Sequence, residues 1–400
     1  MADPPPNPPP RLALVAEGDA ETKDCWSGSA MSFVRALRRR GAEVVTVDAE
    51  PHSLGRLALA LRTFRVDRRS WKAGYSFGLP AFRERSARAR RSLAPLGPSL
   101  DAVIQIGATF LADAGTGGLP RFVYIDANIH IARQGLPYVS VQHLPDEARE
   151  AVERREGEVY SEANGVWTMS AYAAASVVKH FNVPPGRVRP IYAGPNSLTL
   201  DKVDAEPSVS EAPRILFVGK DHRRKGLEVL LRAFARTRRR VPDAELHVLG
   251  TRLPEPEPGV IYYGFVSGAE SEGQELIQDL FRSATVFCLP SRYEPFGIAF
   301  LEAMHCGVPC IGVDQWAMPE IIEAGKTGWL VPDGEVEPLE SALIDALTDR
   351  ERSARMGRAA RERAARLFTW DHTARRALED LASRGFVDAS SLRIPNTKLT

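Results

Sequence analysis

Two glutamates eight positions apart, Glu294 and Glu302, stand on either side of a helix start in the stretch Ser291-Arg-Tyr-Glu-Pro-Phe-Gly-Ile-Ala-Phe-Leu-Glu-Ala-Met-His-Cys-Gly-Val-Pro-Cys310. An ionised carboxylate is a stronger acceptor for a hydroxyl than a neutral oxygen is. Between the two, the first unpaired N–H groups of a helix make a seat for an anion. A carboxylate at each end of a phosphate seat suits a ligand with hydroxyl groups flanking a diphosphate, which is the chemistry of a nucleotide-sugar. Were the whole span helical, roughly 12 Å would separate the carboxylates, the reach of a sugar, a pyrophosphate and a ribose laid end to end. Glutamates at this spacing are common in charged helices, so the pair gains weight only from its setting.

That setting is a strand, a loop and a helix. Thr285-Val-Phe-Cys-Leu-Pro290 has the apolar, β-branched character of a buried parallel strand. Gly297 to His305 reads as a helix that ends at Gly307 and carries Glu302 about two turns in. Such a junction lies at the carboxyl edge of an α/β sheet, where ligands bind. A second junction of the same kind starts at Arg214-Ile-Leu-Phe-Val-Gly219, continues through Lys220-Asp-His-Arg-Arg-Lys225-Gly226, and enters a helix with Leu227, Val229, Leu230, Leu231 and Phe234. Its loop is a cluster of cations, which either faces solvent or meets an anionic ligand.

With Ala303-Met304, Gly307-x-Pro309, Pro319-Glu320-Ile-Ile and Thr327-Gly328-Trp-Leu-Val-Pro332, the stretch resembles the Glu-x7-Glu signature of the retaining nucleotide-sugar glycosyltransferases of family 4. The resemblance covers roughly residues 210–375 well and the first half loosely. It implies an α/β chain of GT-B fold, two Rossmann-like domains facing across a cleft. It also implies transfer of a hexose-type sugar from a nucleoside diphosphate sugar, UDP or GDP, to an acceptor hydroxyl. The anomeric configuration would be retained, and neither metal nor cofactor would take part. By the same resemblance Glu294 holds hydroxyls of the donor sugar and Glu302 the ribose. The backbone of Phe296, Gly297 and Ile298 holds the diphosphate with Lys220 and Lys225, and Gly219 borders the donor. The family pattern is Gly-Arg, a gap, then Lys-Gly. Lys225-Gly226 matches it, whereas Lys220 replaces the arginine and Arg223 or Arg224 could supply the guanidinium.

Three departures stand out. Relatives have a Gly-Gly pair before Pro-Glu, where this chain has Gln315-Trp316-Ala317-Met318, a change that narrows the donor pocket, moves an aromatic into it, or packs Trp316 elsewhere. Many carry His-Asp near the end of a first-half strand. Here Ile125 precedes Asp126, which could orient an acceptor hydroxyl or accept its proton, or serve only as a cap or loop residue. The glycine-rich turn after the first strand is reduced to Ser27 and Gly28 within Cys25-Trp-Ser-Gly-Ser29, a place for acceptor or phosphate and equally an ordinary turn.

Four hundred residues exceed what one core usually organises, so two domains are expected. A net charge of +1 gives no support to nucleic-acid binding. No run approaches the ~18 apolar residues of a membrane span, and the Pro-rich leader lacks the pattern of a signal peptide, so a cytoplasmic location is expected. Cys25, Cys288, Cys306 and Cys310 lack the paired spacings and histidine partners of a zinc site and read as buried thiols.

Residues 1–10 read as a disordered leader, and 11–19 and 42–48 as strands around a helix with Met31, Phe33, Val34 and Leu37 on one face. Residues 101–107, 121–126 and 165–170 read as further strands, with Ser170 capping a helix to His180. The alternation predicts a Rossmann-like acceptor-binding domain over 11–194, completed by a C-terminal helix at about 371–385. A linker over 195–213 leads to the donor-binding domain, 214–370. Residues 56–91 hold eleven cations against Asp67 and Glu84, interleaved with Trp71, Tyr75, Phe77 and Phe82. They form either a solvated helix pair or a surface for an anionic or membrane-associated acceptor, the latter placing the protein at the inner membrane face. Lone histidines such as His130 and His143 are more often structural. A nucleotide-sugar-binding protein without transfer, a nucleotide-sugar epimerase and a glycosidase-like carboxylate pair remain as rival readings.

Overall fold

The computed structural model describes residues 8–115, 118–135, 137–196, 212–254, 257–268 and 270–391. The leader up to residue 7 and residues 197–211 of the expected linker lie outside them. The chain divides into two compact units, one of Met1–Gly194 with Trp370–Thr400, the other of Pro195–Thr369.

Apolar, β-branched runs in the first unit give strands buried on both faces, the pattern of a parallel sheet covered by helices. In chain order its elements are β1 (Arg11–Ala16), α1 (Ser29–Arg39), β2 (Glu43–Asp48), α2 (Ser53–Arg62), α3 (Arg68–Phe77), α4 (Leu79–Leu93), β3 (Ala102–Ile106), β4 (Arg121–Ile125), α5 (Ile129–Gln134), α6 (Asp146–Ser161), β5 (Gly165–Thr168), α7 (Ala171–Phe181) and β6 (Val188–Pro190). Among the described residues the strands form one six-stranded sheet, β2-β1-β3-β4-β5-β6, parallel throughout. Phe33, Phe110, Phe122, Tyr124 and Trp167 fill its core without exposure to solvent. Ser170 caps α7, its hydroxyl accepting from Ala173 N at 3.0 Å.

Residues 56–91 form parts of three helices rather than a pair. Gly78 takes an extended conformation, and a Cβ there would lie 2.3 Å from the Gly74 carbonyl. Pro80 then sits in the first turn of α4 and cannot continue α3. The basic face is not wholly solvated either: Arg85 is buried and pairs with Glu50 at 2.8 Å and Glu17 at 3.2 Å.

The second unit contains β7 (Arg214–Val218), α8 (Leu227–Thr237), β8 (Glu245–Leu249), β9 (Val260–Gly264), α9 (Ser271–Ser283), β10 (Val286–Leu289), α10 (Ile298–His305), β11 (Cys310–Val313), α11 (Met318–Ile321), β12 (Gly328–Val331), α12 (Val336–Thr348) and α13 (Arg350–Leu367). Its strands, again six and all parallel among the described residues, lie in the order β12-β11-β10-β7-β8-β9. Phe217, Phe234, Phe281, Phe287 and Phe300 are buried in its core. After α13 the chain returns to the first unit as α14 (Trp370–Ser383). There Arg40 pairs with Asp371, the Phe33 and Trp370 rings lie 6.1 Å apart, and Trp167 Nε1 donates to Asp380 at 2.9 Å.

Candidate functional site

Read from its other edge, the second sheet runs β9-β8-β7-β10-β11-β12, and the direction of winding reverses between β7 and β10, with Val286 opposite Ile215. Open α/β sheets bind ligands outside the carboxyl ends of their strands at such a reversal. The loops that leave β7 and β10 are 219–226 and 290–297, so the strand order sets the two junctions of interest side by side. Arg292 N donates to Arg224 O at 2.8 Å, and Arg224 Nη1 donates to Tyr293 O at 2.9 Å, stitching one loop to the other. Gly226, at φ +76°, starts α8, and a Cβ on it would lie 1.9 Å from the Pro290 carbonyl. Only glycine allows this approach.

The approach brings the Lys225 ammonium onto the Glu294 carboxylate. Glu294 also accepts from Ser291 Oγ at 3.3 Å and faces Arg224 Nη1 at 4.0 Å. The Lys225 and Glu294 side chains keep only 13% and 10% of their exposure. Burial holds the Lys225 ammonium below the ordinary lysine pKa, and the Glu294 charge pulls the other way. The Lys225 stem lies against Gly219, where a Cβ would come within 2.8 Å of its Cγ. A desolvated cation held by one carboxylate and flanked by a guanidinium can transfer its interaction to an arriving diphosphate without reorganising the backbone.

Phe296 is buried, and Gly297, at φ +90°, starts α10 at Ile298 with no side-chain cap on that N-terminus among the described residues. Glu302 is buried in the second turn of α10 and accepts from Asn196 N at 3.3 Å. Glu294 lies in the loop before α10, as expected, but Glu302 is nearer the helix start than the two turns expected of it. The left-handed Gly297 keeps helix from spanning the interval, so helical rise does not set the distance between the carboxylates and Glu302 lies little more than one turn into α10. Lys220 does not join the cluster: it is exposed, its ammonium 4.5 Å from the centre of the Phe265 ring. Trp316 lies in the loop after β11 at φ +59°, with its ring 5.3 Å from and nearly perpendicular to that of Tyr293, the neighbour of Glu294. A bulky side chain in the left-handed region is an outlier of the kind that collects at ligand sites.

The remaining candidates lie in the first unit. Ser27 (φ +55°) and Gly28 (φ +87°) close the single turn Cys25–Gly28 before α1, and the Trp26 ring meets Tyr124 edge-on at 5.4 Å. Asp126 follows β4 and is half-buried. The helix cap considered for it belongs instead to Asn128, which accepts from Ile131 N at 3.0 Å. His130 is held by Glu153 at 3.0 Å and stacks on His180. The sequence reading placed Glu17 inside a strand, but β1 ends at Ala16, which leaves Glu17 at the carboxyl edge beside Thr109 and Arg85. Burial, opposed by Arg85 and helped by Glu50 and Asp48, pushes its carboxyl up to about 7. A strand boundary three residues earlier was the signal that could have marked it. All four cysteines are buried and free, as expected.

Residues 201–363 match the family described as Glycosyl transferases group 1. The matched stretch lies within the second unit and ends in its last helix, so the likeness rests on that unit. The chain as a whole has the two-domain GT-B fold of sucrose-phosphate synthase from Thermosynechococcus elongatus, with a TM-score of 0.69 and 18% identity over 94% of this chain and 99% of that one. Anabaena HepE, solved in complex with UDP and glucose, gives 0.63 at 15% identity over 93% and 99%. Among curated proteins it is similar to a GDP-mannose-dependent alpha-(1-6)-phosphatidylinositol monomannoside mannosyltransferase of Mycolicibacterium smegmatis, at 29% identity over 54% of this chain and 59% of the relative. An alpha-maltose-1-phosphate synthase of the same organism is 30% identical over 48% and 52%. The chain thus spans a little over half the length of these curated relatives.

Proposed function

We propose that the protein transfers a hexose-type sugar from a nucleoside diphosphate sugar to an acceptor hydroxyl, with retention of configuration and without a metal ion. The observation that carries the proposal is the buried Lys225–Glu294 contact at the winding reversal of the second sheet, beside the uncapped N-terminus of α10. In this reading Glu294 holds hydroxyls of the donor sugar and Glu302 those of the ribose. Lys225, Arg224 and the backbone of Gly219 and Phe296–Ile298 hold the diphosphate. Lys220 sits farther out and meets the donor only if it leaves Phe265. Ser27, Gly28 and Asp126 are assigned to the acceptor, and a cytoplasmic location belongs to the same reading.

During transfer the bond from the anomeric carbon to the diphosphate breaks and a bond to the acceptor oxygen forms on the same face. The acceptor proton passes to the departing phosphate, and the negative charge that develops there is met by Lys225 and Arg224. The protein acts by positioning and by stabilising the leaving charge. One similar protein is a GDP-mannose-dependent mannosyltransferase and another was solved with UDP and glucose, so both bases are candidates. Thermal unfolding with UDP, GDP and ADP in the presence of a chelator tests the donor site, since a ligand that binds only the folded state raises its stability. A shift selective for one nucleotide, followed by release of that nucleotide from its sugar conjugate when acceptor is added, is the expected result. A shift without any turnover would instead favour the nucleotide-sugar-binding reading.

A further inference from the structure

Large apolar side chains open to solvent are concentrated in one place. Among the described residues, six of the eight exposed ones, Leu54, Leu57, Leu61, Phe64, Val66 and Leu79, fall within twenty-six positions of the first unit. Leu54, Leu57 and Leu61 recur at helical spacing along α2 and form one outward stripe, whereas Leu59 alone of that helix is buried beneath it. The stripe continues into the loop between α2 and α3, where Phe64 is 54% and Val66 96% exposed. That loop is held in place: Trp71 Nε1 donates to Ala60 O at 3.0 Å, the Phe64 ring packs edge-on against Trp71 at 5.5 Å, and Asp67 caps α3. A folded protein does not present a fixed ridge of this kind to water without a partner for it.

The charge around the ridge says what that partner is. From Ser53 to Lys72 the chain carries Arg56, Arg62, Arg65, Arg68, Arg69 and Lys72 against the single acid Asp67, which is occupied by the Ser70 amide at 2.8 Å. Beside the loop lies a concavity of about 680 Å³ whose lining includes Arg62, Arg65, Ser70, Gln142 and His143. A protein partner would match the apolar ridge but gives no reason for six cations against one acid in the same stretch. An anionic bilayer meets both demands, apolar side chains entering the acyl boundary while arginines meet phosphate headgroups.

We infer that α2 and the loop to α3 dock the protein on an anionic phospholipid surface, with Leu57, Leu61, Phe64 and Val66 inserted and Arg62 and Arg65 on headgroup phosphates. This goes beyond the transfer reaction and does not depend on it, because docking needs no nucleotide-sugar. The test is flotation of the full chain with phosphatidylcholine vesicles, with and without phosphatidylglycerol, at low and high salt. Binding is expected only with phosphatidylglycerol and is expected to weaken as salt is added. Leu57→Ser with Leu61→Ser should lower the partition coefficient by about a hundredfold, on the order of tenfold for each side chain withdrawn from the apolar layer. Arg62→Gln with Arg65→Gln should lower it about fivefold per cation. Neither pair should move the melting temperature, since these side chains are exposed in the folded chain. Absence of binding to any vesicle overturns the inference, and so does equal binding by the variants. A salt-insensitive dimer that the leucine variants convert to monomer would assign the ridge to self-association instead.

Discussion

Replacing Lys225 by alanine separates what the buried ion pair does for the fold from what it is proposed to do for the donor. The substitution leaves the Glu294 carboxylate, at 10% exposure, with Ser291 Oγ at 3.3 Å and Arg224 Nη1 at 4.0 Å as its nearest compensation. Removing one member of a buried pair destabilises by about 3–5 kcal/mol, and the two remaining partners place this case at the lower end, about 3 kcal/mol. For a unit of this size that is a drop of roughly 6–12 °C in its thermal transition. Neutralising both members, Lys225→Met with Glu294→Gln, removes the stranded charge and should restore most of the stability. Transfer should not return with it. Loss of a cation that meets the leaving diphosphate lowers turnover by about 10²–10³, and the double variant lacks that cation as surely as the single one does. Differential scanning calorimetry reads the first effect. Release of nucleotide from UDP- and GDP-sugars, with calorimetric titration of the free nucleotide, reads the second. Unchanged nucleotide affinity and turnover in Lys225→Ala would refute the donor-site assignment whatever happened to stability. Recovery of activity along with stability in the double variant would show the pair to be structural alone.

Three further outcomes follow from the geometry. Gly226→Ala forces a Cβ to within 1.9 Å of the Pro290 carbonyl in the left-handed region; it should destabilise by about 3 kcal/mol or more and weaken nucleotide binding, read by denaturant unfolding and titration. Trp316→Gly relieves roughly 1–2 kcal/mol of backbone strain while removing the ring packed on Tyr293. Its discrimination between nucleotide-sugars, measured as the ratio of kcat/KM values, should fall with little loss of overall turnover. Glu156, whose carboxylate accepts from Ile129 N at 2.9 Å, is pushed up by burial to about 8. Because the folded chain keeps a proton that the unfolded chain has lost, this group's stabilisation is complete below the ordinary carboxyl range and declines as pH rises to about 8. Glu156→Gln should flatten the dependence of the melting temperature on pH across that interval, and an unchanged slope would place the titration elsewhere.

Local pattern alone made the elements around the proposed donor site legible. Thr285–Pro290 and Arg214–Gly219 are apolar and β-branched, the glycines at 226, 297 and 307 punctuate the helices, and the observed β7, β10, α8 and α10 follow those marks. Family resemblance singled out Lys225 and Glu294 within the loops. What no local pattern contains is the pairing of β7 with β10, whose partners lie about seventy residues apart; that pairing is what makes the two loops neighbours. Long-range contact likewise gave Lys220 and Lys225, five positions apart, different surroundings: Gly226 lets the one reach Glu294, and Phe265 holds the other at the surface. The charged run Asp146–Ser161 concealed α6 because its polar residues lie on every side and no apolar stripe declares the period. In the same way, the sequence of α2 announces a helix with leucines on it, but which leucines face the core is decided by what packs there. Leu59 is buried and Leu57 and Leu61 are exposed in a helix that packs against α4.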